Sequence, residues 1–314
     1  MSRTYFLTLL LVMIIIIMSI LSPYFLTVQN LLEITQFGAV IALLAIGQSL
    51  VIASGNGGID LSVGSMVSLS GVLMGLAFNA GISIWIASII AILVGVLLGA
   101  FNGFATSVIG LPPFIATLGT MYMYGSLALV LTKGTPISGF PESFGFLGQG
   151  TILGIPTQVL LIVIPVFLII SFIVYRTVFG RQIYLVGTND TAAKFANIKV
   201  KRTRFLLFTL SGLLSGIGSV IMSSWLMTAR ADVGSGLELQ AITIAVLGGM
   251  HIFGGKGQLG GVMLAVLVVT MLSPGLQIAN INAIWQLAIL GIILIGAVAL
   301  NQYSSNRLSL KAIK

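Results

Sequence analysis

The sequence predicts an all-α polytopic membrane protein with about ten transmembrane helices. Hydrophobic residues make up 58% of the 314 positions, and only 6% of the residues are charged. The mean hydropathy of +1.17 is far above that of a soluble globular domain. The longest uncharged stretch, between Asp60 and Lys133, is several times the roughly 20 apolar residues that one helix needs to cross a bilayer. The stretches are too long, and too continuously apolar, to be alternating membrane β-strands.

Breaks in the apolar pattern divide the chain into ten predicted helices, and Pro or Gly residues mark several of the boundaries. The predicted helices cover residues 5–22, 34–54, 61–78, 83–106, 113–132, 157–175, 204–228, 237–250, 259–273 and 283–300. The first lacks a small-x-small cleavage signature, so we expect it to be retained as a helix. The eighth is short enough to be re-entrant. Together they predict one transmembrane domain over residues 1–314.

Half of the basic side chains lie in residues 176–204, which we call the basic segment. Its seven members are Arg176, Arg181, Lys194, Lys199, Lys201, Arg202 and Arg204. Cytoplasmic loops of membrane proteins carry an excess of Lys and Arg, so we expect this segment to face the cytoplasm. Ten crossings then place both termini in the cytoplasm and leave only Lys133 and Arg230 outside. The net charge of +8 reflects this orientation and does not indicate nucleic-acid binding.

Two glycine-rich motifs, each with one carboxylate, stand at the third and eighth predicted helices. Their members are Gly57, Gly58, Asp60 and Gly64 in the first, and Glu238, Gly248, Gly249, Gly254 and Gly255 in the second. An offset of five helices would place the two halves in opposite orientations, as in transporters built from inverted five-helix repeats. Alternatively, Gly and Pro mark helix ends in any chain and no repeat exists.

Four polar residues in or beside the predicted helices are candidates for a substrate path. An unpaired carboxylate such as Asp60 costs about 3 kcal/mol at mid-bilayer, so it needs partners or water. Asp60 either holds a broken helix together, lines a polar pathway, or caps the third helix. Gln48, Asn102 and Gln240 line the path or, alternatively, make interhelical hydrogen bonds.

The sequence predicts neither a metal site nor a nucleotide site in this chain. There is no cysteine and the single histidine is His251, which excludes a zinc site of several His and Cys ligands. Gly257 follows Lys256 where a phosphate-binding loop needs Ser or Thr. The sequence also disfavours an enzyme embedded in the membrane, because it has no histidine cluster, no cysteine and no convincing pair of catalytic residues.

Within the basic segment, the sequence predicts a short capped helix. Asn189 is the expected N-cap, and Asp190 falls in the first turn, where a negative charge suits the helix dipole. Ala192, Phe195 and Ala196 then share one face at helical spacing. An exposed Phe on such a helix requires a partner surface; the alternative is an ordinary positively charged loop containing a helical turn.

Four stretches, taken together, resemble the membrane permeases of ribose-type ABC importers. They are residues 57–65, 114–119, 187–193 and 246–257, and they follow the order of that family over nearly the whole chain. Residues 229–232 and 241–249 look closest to members that handle autoinducer-2, rhamnose or related sugars.

The resemblance implies a type II importer fold in which two permease subunits, identical or different, form the path in a bacterial inner membrane. Residues 187–198 would be a coupling helix that docks on a cytoplasmic ABC ATPase, and that partner would bind ATP and Mg²⁺. The implied coupling residues are Gly187, Asn189, Asp190, Ala192, Ala193, Phe195 and Asn197, of which Asn189, Ala192, Ala193 and Phe195 would form the contact face. A periplasmic or lipid-anchored sugar-binding protein would dock on the other side, over residues 133–156 and 229–236.

The chain departs from the family pattern at two positions, and its sequence is also compatible with one competing function. Many relatives have Gly where this chain has Asn197, but Asn also tolerates the left-handed conformation found after helix ends. Relatives usually lack His at position 251. The competing function is a secondary transporter that uses Asp60 or Glu238 to couple an ion gradient to uptake.

Overall fold

A computed structural model describes residues 3–278 together with positions 285, 288–289, 291–293 and 295–296. The predicted helix 283–300 therefore lies largely outside the described residues. The described part of the chain consists of twelve α-helices, two π-helical turns and four two-residue strands.

The helices are α1 (Arg3–Leu21), α2 (Val28–Ala53), α3 (Val63–Asn79), α4 (Ile84–Phe104), α5 (Pro113–Thr132), α6 (Glu142–Gly148), α7 (Ile164–Arg176), α8 (Val178–Thr188), α9 (Asp190–Phe195), α10 (Val200–Leu226), α11 (Leu237–Gly248) and α12 (Leu259–Ile278). One π-helical turn (Ala105–Ile109) continues α4, and the other (Val159–Val163) leads into α7. The strands are β1 (Ile137–Ser138), β2 (Thr151–Ile152), β3 (Ile155–Pro156) and β4 (Thr228–Ala229). β1 pairs antiparallel with β4, and β2 pairs antiparallel with β3.

The all-α polytopic prediction is confirmed. Six helical stretches are long and apolar enough to cross a membrane, and α3, α11 and α12 are shorter apolar helices. Each of the first nine predicted helices has a counterpart. Local signals explain several ends: the Thr27 side chain accepts from Asn30 N at the start of α2, and Pro113 opens α5.

Close packing of α4 against α10 forms the centre of the bundle. Gly95 and Gly99 of α4 face Gly212 and Gly216 of α10. A Cβ atom added to Gly212 would lie 2.7 Å from the Cα of Gly99, so only glycine permits this approach. Small residues at four-residue spacing are a general device for bringing membrane helices into contact.

The two ends of α10 define two polar faces of the molecule. At its N-terminal end, Arg204 contacts Asp190 of α9. At its C-terminal end, Ser224 donates to the backbone oxygen of Phe144 in α6, and β4 follows. We call the end that carries α8 and α9 the α9 face, and the end that carries α6 and the four strands the opposite face. Since α2 ends at the α9 face, α1 begins there as well.

The helices α3 and α11 begin inside the bundle and run in opposite directions. Their N-terminal ends meet where Gly234 N donates to Ser68 Oγ at 3.0 Å. α3 ends near Ala229 at the opposite face, whereas the residues after α11 reach Ala53 at the α9 face. Opposite directions for this one pair of helices are among the requirements of an inverted repeat, which stays a prediction for the other helix pairs. With 12 residues, α11 spans about 18 Å, less than the bilayer core of about 30 Å, so it does not cross alone.

Candidate functional site

The short helix α9 is capped as the sequence predicts. Asn189 has an extended backbone, and its side-chain oxygen accepts from Ala192 N at 3.0 Å. Asp190 occupies the first turn. The prediction of Asn189 as N-cap is confirmed. The helix is six residues long, beginning at Asp190, and not the whole of residues 187–198.

The C-terminal end of α9 closes in a Schellman motif. Asn197 has a φ of +59°, the left-handed conformation that was expected to survive the replacement of glycine. Ile198 N donates to Ala193 O at 3.0 Å, and Asn197 N donates to Lys194 O at 3.0 Å. A small apolar cluster lies beneath the helix and consists of Val186, Ala193, Ile198 and Val200. Both ends of α9 are therefore fixed by local hydrogen bonds.

One face of α9 is presented outward. Ala192, Phe195 and Ala196 are exposed, and 88% of the Phe195 surface is accessible. Ala193 is the exception among the predicted contact residues: only 3% of it is exposed, because it turns inward onto the apolar cluster. The residues accessible to a partner are therefore Asn189, Ala192 and Phe195, whereas Ala193 is not accessible.

Arg204 clamps α9 to the helix bundle. Its Nη1 donates to Asp190 Oδ2 at 2.7 Å, and its Nη2 donates to the other carboxylate oxygen and, at 3.1 Å, to the backbone oxygen of Ser54. The Arg204 residue is 8% exposed. Ser54 caps the C-terminus of α2. A single guanidinium therefore joins α9, α10 and the end of α2.

Predicted glycines bring three backbone segments together beside this clamp. Gly255 N donates to Ala53 O at 3.0 Å. A Cβ atom on Gly55 would lie 2.9 Å from the Cα of Gly187, and one on Gly254 would lie 2.5 Å from Gly55 N. The C-terminus of α8, the end of α2 and the turn between α11 and α12 thus touch through their main chains. His251 is half-buried in that turn, with its ring 5.7 Å from that of Phe253.

The remaining glycines of the two motifs have different surroundings. Gly64 packs against the backbone of Gly234, and Gly248 packs against Val262. Gly58 packs against the backbone of Val51, whereas Gly57 has open space around it. Gly249 ends α11 with a φ of +113°.

Asp60 is fully buried in the segment that re-enters the bundle between α2 and α3. Its Oδ1 accepts from Ser62 N at 3.0 Å and from Ser62 Oγ at 2.7 Å, and its Oδ2 accepts from Ser211 Oγ at 3.3 Å. The N-cap position of α3 is Ser62, so Asp60 is not the cap. Its carboxylate stabilises the re-entrant loop instead.

Three of the four predicted path residues share this polar network. The Gln48 amide lies against the backbone of Asp60. With the amide assigned in the orientation that satisfies both groups, its nitrogen donates to Asp60 O at 3.1 Å and its oxygen accepts from Asp60 N at 3.2 Å. Asn102 Nδ2 donates to Ser62 Oγ at 2.7 Å. Gln48, Asp60 and Asn102 are all fully buried. Gln240 is half-buried on α11, and the network does not extend to it among the described residues.

Glu238 lies at the start of α11, close to the point where α3 also begins. Its Oε1 accepts from Gly236 N at 3.2 Å. A Cβ atom on Gly64 would lie 2.6 Å from Glu238 Oε2, which places this half-buried carboxylate against the N-terminal turn of α3. Helix N-termini favour a negative charge, so this position suits a carboxylate.

The opposite face assembles the two segments that were predicted to meet a binding protein. Ile137 pairs with Ala229, and Gln149 Nε2 donates to Trp225 O at 2.8 Å. Leu153 is 96% exposed at the tip of the β2–β3 turn. Strand pairing therefore joins residues 133–156 to the start of residues 229–236 at this face, whereas Gly234 is buried against Ser68 inside the bundle. At the opposite face, hydrogen bonding to Arg230 lowers the pKa of Asp232 below its usual range.

Sequence reasoning did not predict α6, α8 or the role of Arg204. From the sequence, Arg204 was assigned only to the basic segment that was expected to face the cytoplasm. One signal was present: Asp190 is the only acidic residue of the basic segment, so it was the one available carboxylate partner there.

The fold and these surfaces define a membrane permease: an apolar helix bundle with re-entrant half-helices and one small helix displayed at one face. Comparison with known proteins agrees with this classification as a membrane permease. The model of the family described as "Branched-chain amino acid transport system / permease component" matches residues 30–298. The chain belongs to this family, and within it to the ribose-type ABC importer permeases.

The most similar relatives include ribose import permeases and autoinducer 2 import permeases. The chain is 37% identical over 293 residues to the ribose import permease protein RbsC of Bacillus subtilis (strain 168), covering 93% of this chain and 90% of the relative. It is 37% identical over 281 residues to the autoinducer 2 import system permease protein LsrD of Enterobacter sp. (strain 638), covering 88% and 85%. No solved structure matches. A multi-pass location in the inner membrane follows from the family and the apolar helices.

Proposed function

We propose that this chain is one of two permease subunits of an ATP-driven importer for a ribose-, rhamnose- or autoinducer-2-like sugar. The observation that carries the proposal is α9, a six-residue helix fixed at both ends that nevertheless leaves Phe195 88% exposed. Aromatic side chains, Phe among them, are enriched at the cores of protein interfaces, which supports this role for Phe195. The occupant is a cytoplasmic ABC ATPase, which binds ATP and Mg²⁺.

The Arg204 clamp supplies the route by which ATPase movement enters the membrane. A displacement of α9 pulls on Asp190, and Arg204 transmits it to Ser54 and to α10. The re-entrant loop begins directly after Ser54. Because the guanidinium is fixed by several hydrogen bonds, the connection is rigid and not a flexible tether.

The same assignment orients the protein. The α9 face is the cytoplasmic face, so α1 begins in the cytoplasm, and the opposite face receives the extracytoplasmic sugar-binding protein. Residues 133–156 and the start of residues 229–236 form that surface, with Leu153 as its most exposed apolar side chain.

The sugar path runs between the two permease subunits, beside the junction of α3 and α11. Gln48, Asp60 and Asn102 are fully buried within one subunit, so they shape the path indirectly by fixing the re-entrant loop. Glu238 and Gln240 are half-buried on α11 and have surface with which to meet a sugar.

Single-cysteine crosslinking tests the two docking surfaces, because the chain has no native cysteine. Ala192→Cys on α9 is expected to crosslink to the partner ABC ATPase, and Leu153→Cys to the binding protein. Each variant serves as the other's control. Crosslinking of Ala192→Cys to the binding protein, or to neither partner in an assembled complex, would contradict the proposal.

The alternative function is ion-gradient-driven transport with Asp60 or Glu238 as the coupling carboxylate. The burial of Asp60 is the observation in its favour, since ion-coupled transporters bury such groups. Against it, the Asp60 carboxylate is already bound by Ser62 and Ser211. Uptake with ATP but without an ion gradient separates the two functions.

A further inference from the structure

A polar cavity of about 290 Å³ opens at the α9 face, beside the first turns of α10. Its lining includes Lys199 and Arg202 together with Gln182, Asn197 and Thr203. These residues come from α8, from the link between α9 and α10, and from α10 itself. Two cationic side chains and three neutral polar ones therefore converge where a membrane-crossing helix leaves the bilayer.

An apolar groove of about 360 Å³ continues from this cavity along α10 into the membrane. Phe179 and Leu206 line both spaces, so the two are contiguous. Further along, the groove is lined by Leu210 and Leu213 of α10 and by Val96 of α4. From Arg202 to Leu213 the helix rises about 16 Å, which takes the groove well into the hydrocarbon layer.

In the part of the chain that the structure describes, no carboxylate forms an ion pair with the cationic residues of the cavity. The sequence contains six acidic residues, and Asp190 is the one in the basic segment. Asp190 is engaged by Arg204. Among the described residues, no ion pair involves Lys199 or Arg202, and both are exposed. The cavity is therefore complementary to an external anion.

We infer that this pair of spaces binds one anionic phospholipid from the leaflet at the α9 face, which is the cytoplasmic leaflet in the proposed orientation. Its phosphate lies in the polar cavity between Lys199 and Arg202, and one acyl chain lies in the groove along α10. Basic residues next to a membrane helix attract anionic headgroups, and an apolar groove lined by Leu and Phe suits an acyl chain. The site adjoins α9 through Asn197, so the lipid would sit against the docking helix without touching its Phe195 face.

Photocrosslinking tests this site in the full-length protein. The protein is reconstituted in phosphatidylcholine nanodiscs containing a trace of phosphatidylglycerol with a diazirine in its acyl chain. We expect the label on residues 206–213 of α10, and little label there from a phosphatidylcholine probe of the same design. Equal labelling by the two probes would contradict a site for an anionic headgroup.

Charge variants give the matched control. Lys199→Gln or Arg202→Gln should each reduce labelling about fivefold, as expected for the loss of one cation beside an anionic lipid. Lys201→Gln removes an equally exposed neighbour that does not line the cavity, so it should leave labelling unchanged. If all three variants behave alike, the cavity is not the headgroup site.

Two further measurements distinguish other occupants. Displacement of the label by millimolar inorganic phosphate would show a site for a free anion and overturn the lipid assignment. Rapid disulfide formation between Leu206→Cys chains in nanodiscs would show that a second copy covers the groove, and would also overturn it. We expect neither. Because labelling requires no ATPase, these results stand apart from the proposed transport function.

Discussion

Asp190 at the start of α9 and Arg204 in the first turns of α10 form an ion pair with two hydrogen bonds, one of them 2.7 Å long, across fourteen residues of chain. The same guanidinium also donates to Ser54 O. The helix that displays Phe195 is therefore joined to the bundle by this ion pair as well as by the apolar packing of Ala193 on Val186 and Val200. Arg204 is in that sense the structural centre of the basic segment.

Replacing Arg204 is expected to destabilise the protein. Arg204→Met leaves Asp190 and the Ser54 carbonyl without their donor, at a cost of about 2 kcal/mol because the Asp190 side chain remains partly hydrated. Thermal unfolding in detergent should shift down by several degrees. Arg202→Met, a neighbouring exposed arginine, is the control and should unfold like the unmodified protein. Equal shifts for both would contradict the clamp.

Phe195→Asp is expected to release the ATPase while leaving the permease folded. The side chain is 88% exposed, so its removal costs the free permease little. A central aromatic anchor contributes at least about 2 kcal/mol, so affinity should fall about thirtyfold or more. Pull-down of the ATPase measures this. Leu153→Asp makes the same change on the opposite face and should retain the ATPase; retention by Phe195→Asp as well would show that α9 is not the docking element.

Two substitutions at Asn197 should have opposite consequences. Asn197→Gly keeps the left-handed conformation at φ +59° and should be neutral. Asn197→Val places a β-branched residue there at a cost of about 1–2 kcal/mol, so α9 should fray. Hydrogen exchange at the amides of residues 192–198 reports this directly. Unchanged protection in Asn197→Val would mean that the Schellman motif does not hold the helix.

The substitution Gly212→Ala should force α4 and α10 further apart. The new Cβ atom would lie 2.7 Å from the Cα of Gly99, and backbone cannot yield as a side chain does. We expect a loss of about 1–3 kcal/mol, seen as a lower unfolding temperature. Gly119→Ala in α5 is the matched control, since a Cβ there has no neighbour within 4 Å. Its stability should be unchanged or higher, because Ala favours a helix.

Much of the fold could be predicted because membrane helices are specified by long apolar stretches. The cap at Asn189 and the exposed face that carries Phe195 could also be predicted, because helix capping and helical spacing depend only on residues that are close together in the sequence. For α11, the sequence predicted a segment short enough to be re-entrant, but it did not predict that this helix begins inside the bundle next to α3.

The rest depends on contacts between residues that are distant in sequence. No periodic pattern in the sequence indicates the hydrogen bond from Arg204 to Ser54 or the pairing of Gln48 with Asp60. The inward turn of Ala193 depends on Val186 and Val200, which lie on neighbouring helices. α8 was missed because it is a short, mixed-polarity helix outside the long apolar stretches.

In the proposed function, ATP hydrolysis by a partner subunit, acting through α9, drives sugar uptake. The direct measurement is uptake of labelled ribose or autoinducer-2 from binding protein into liposomes that hold the permease, its ATPase and ATP, with no ion gradient. We predict uptake that requires both ATP and the ATPase and is lost in Phe195→Asp. Uptake by the permease alone, driven by a proton or sodium gradient, would contradict the account.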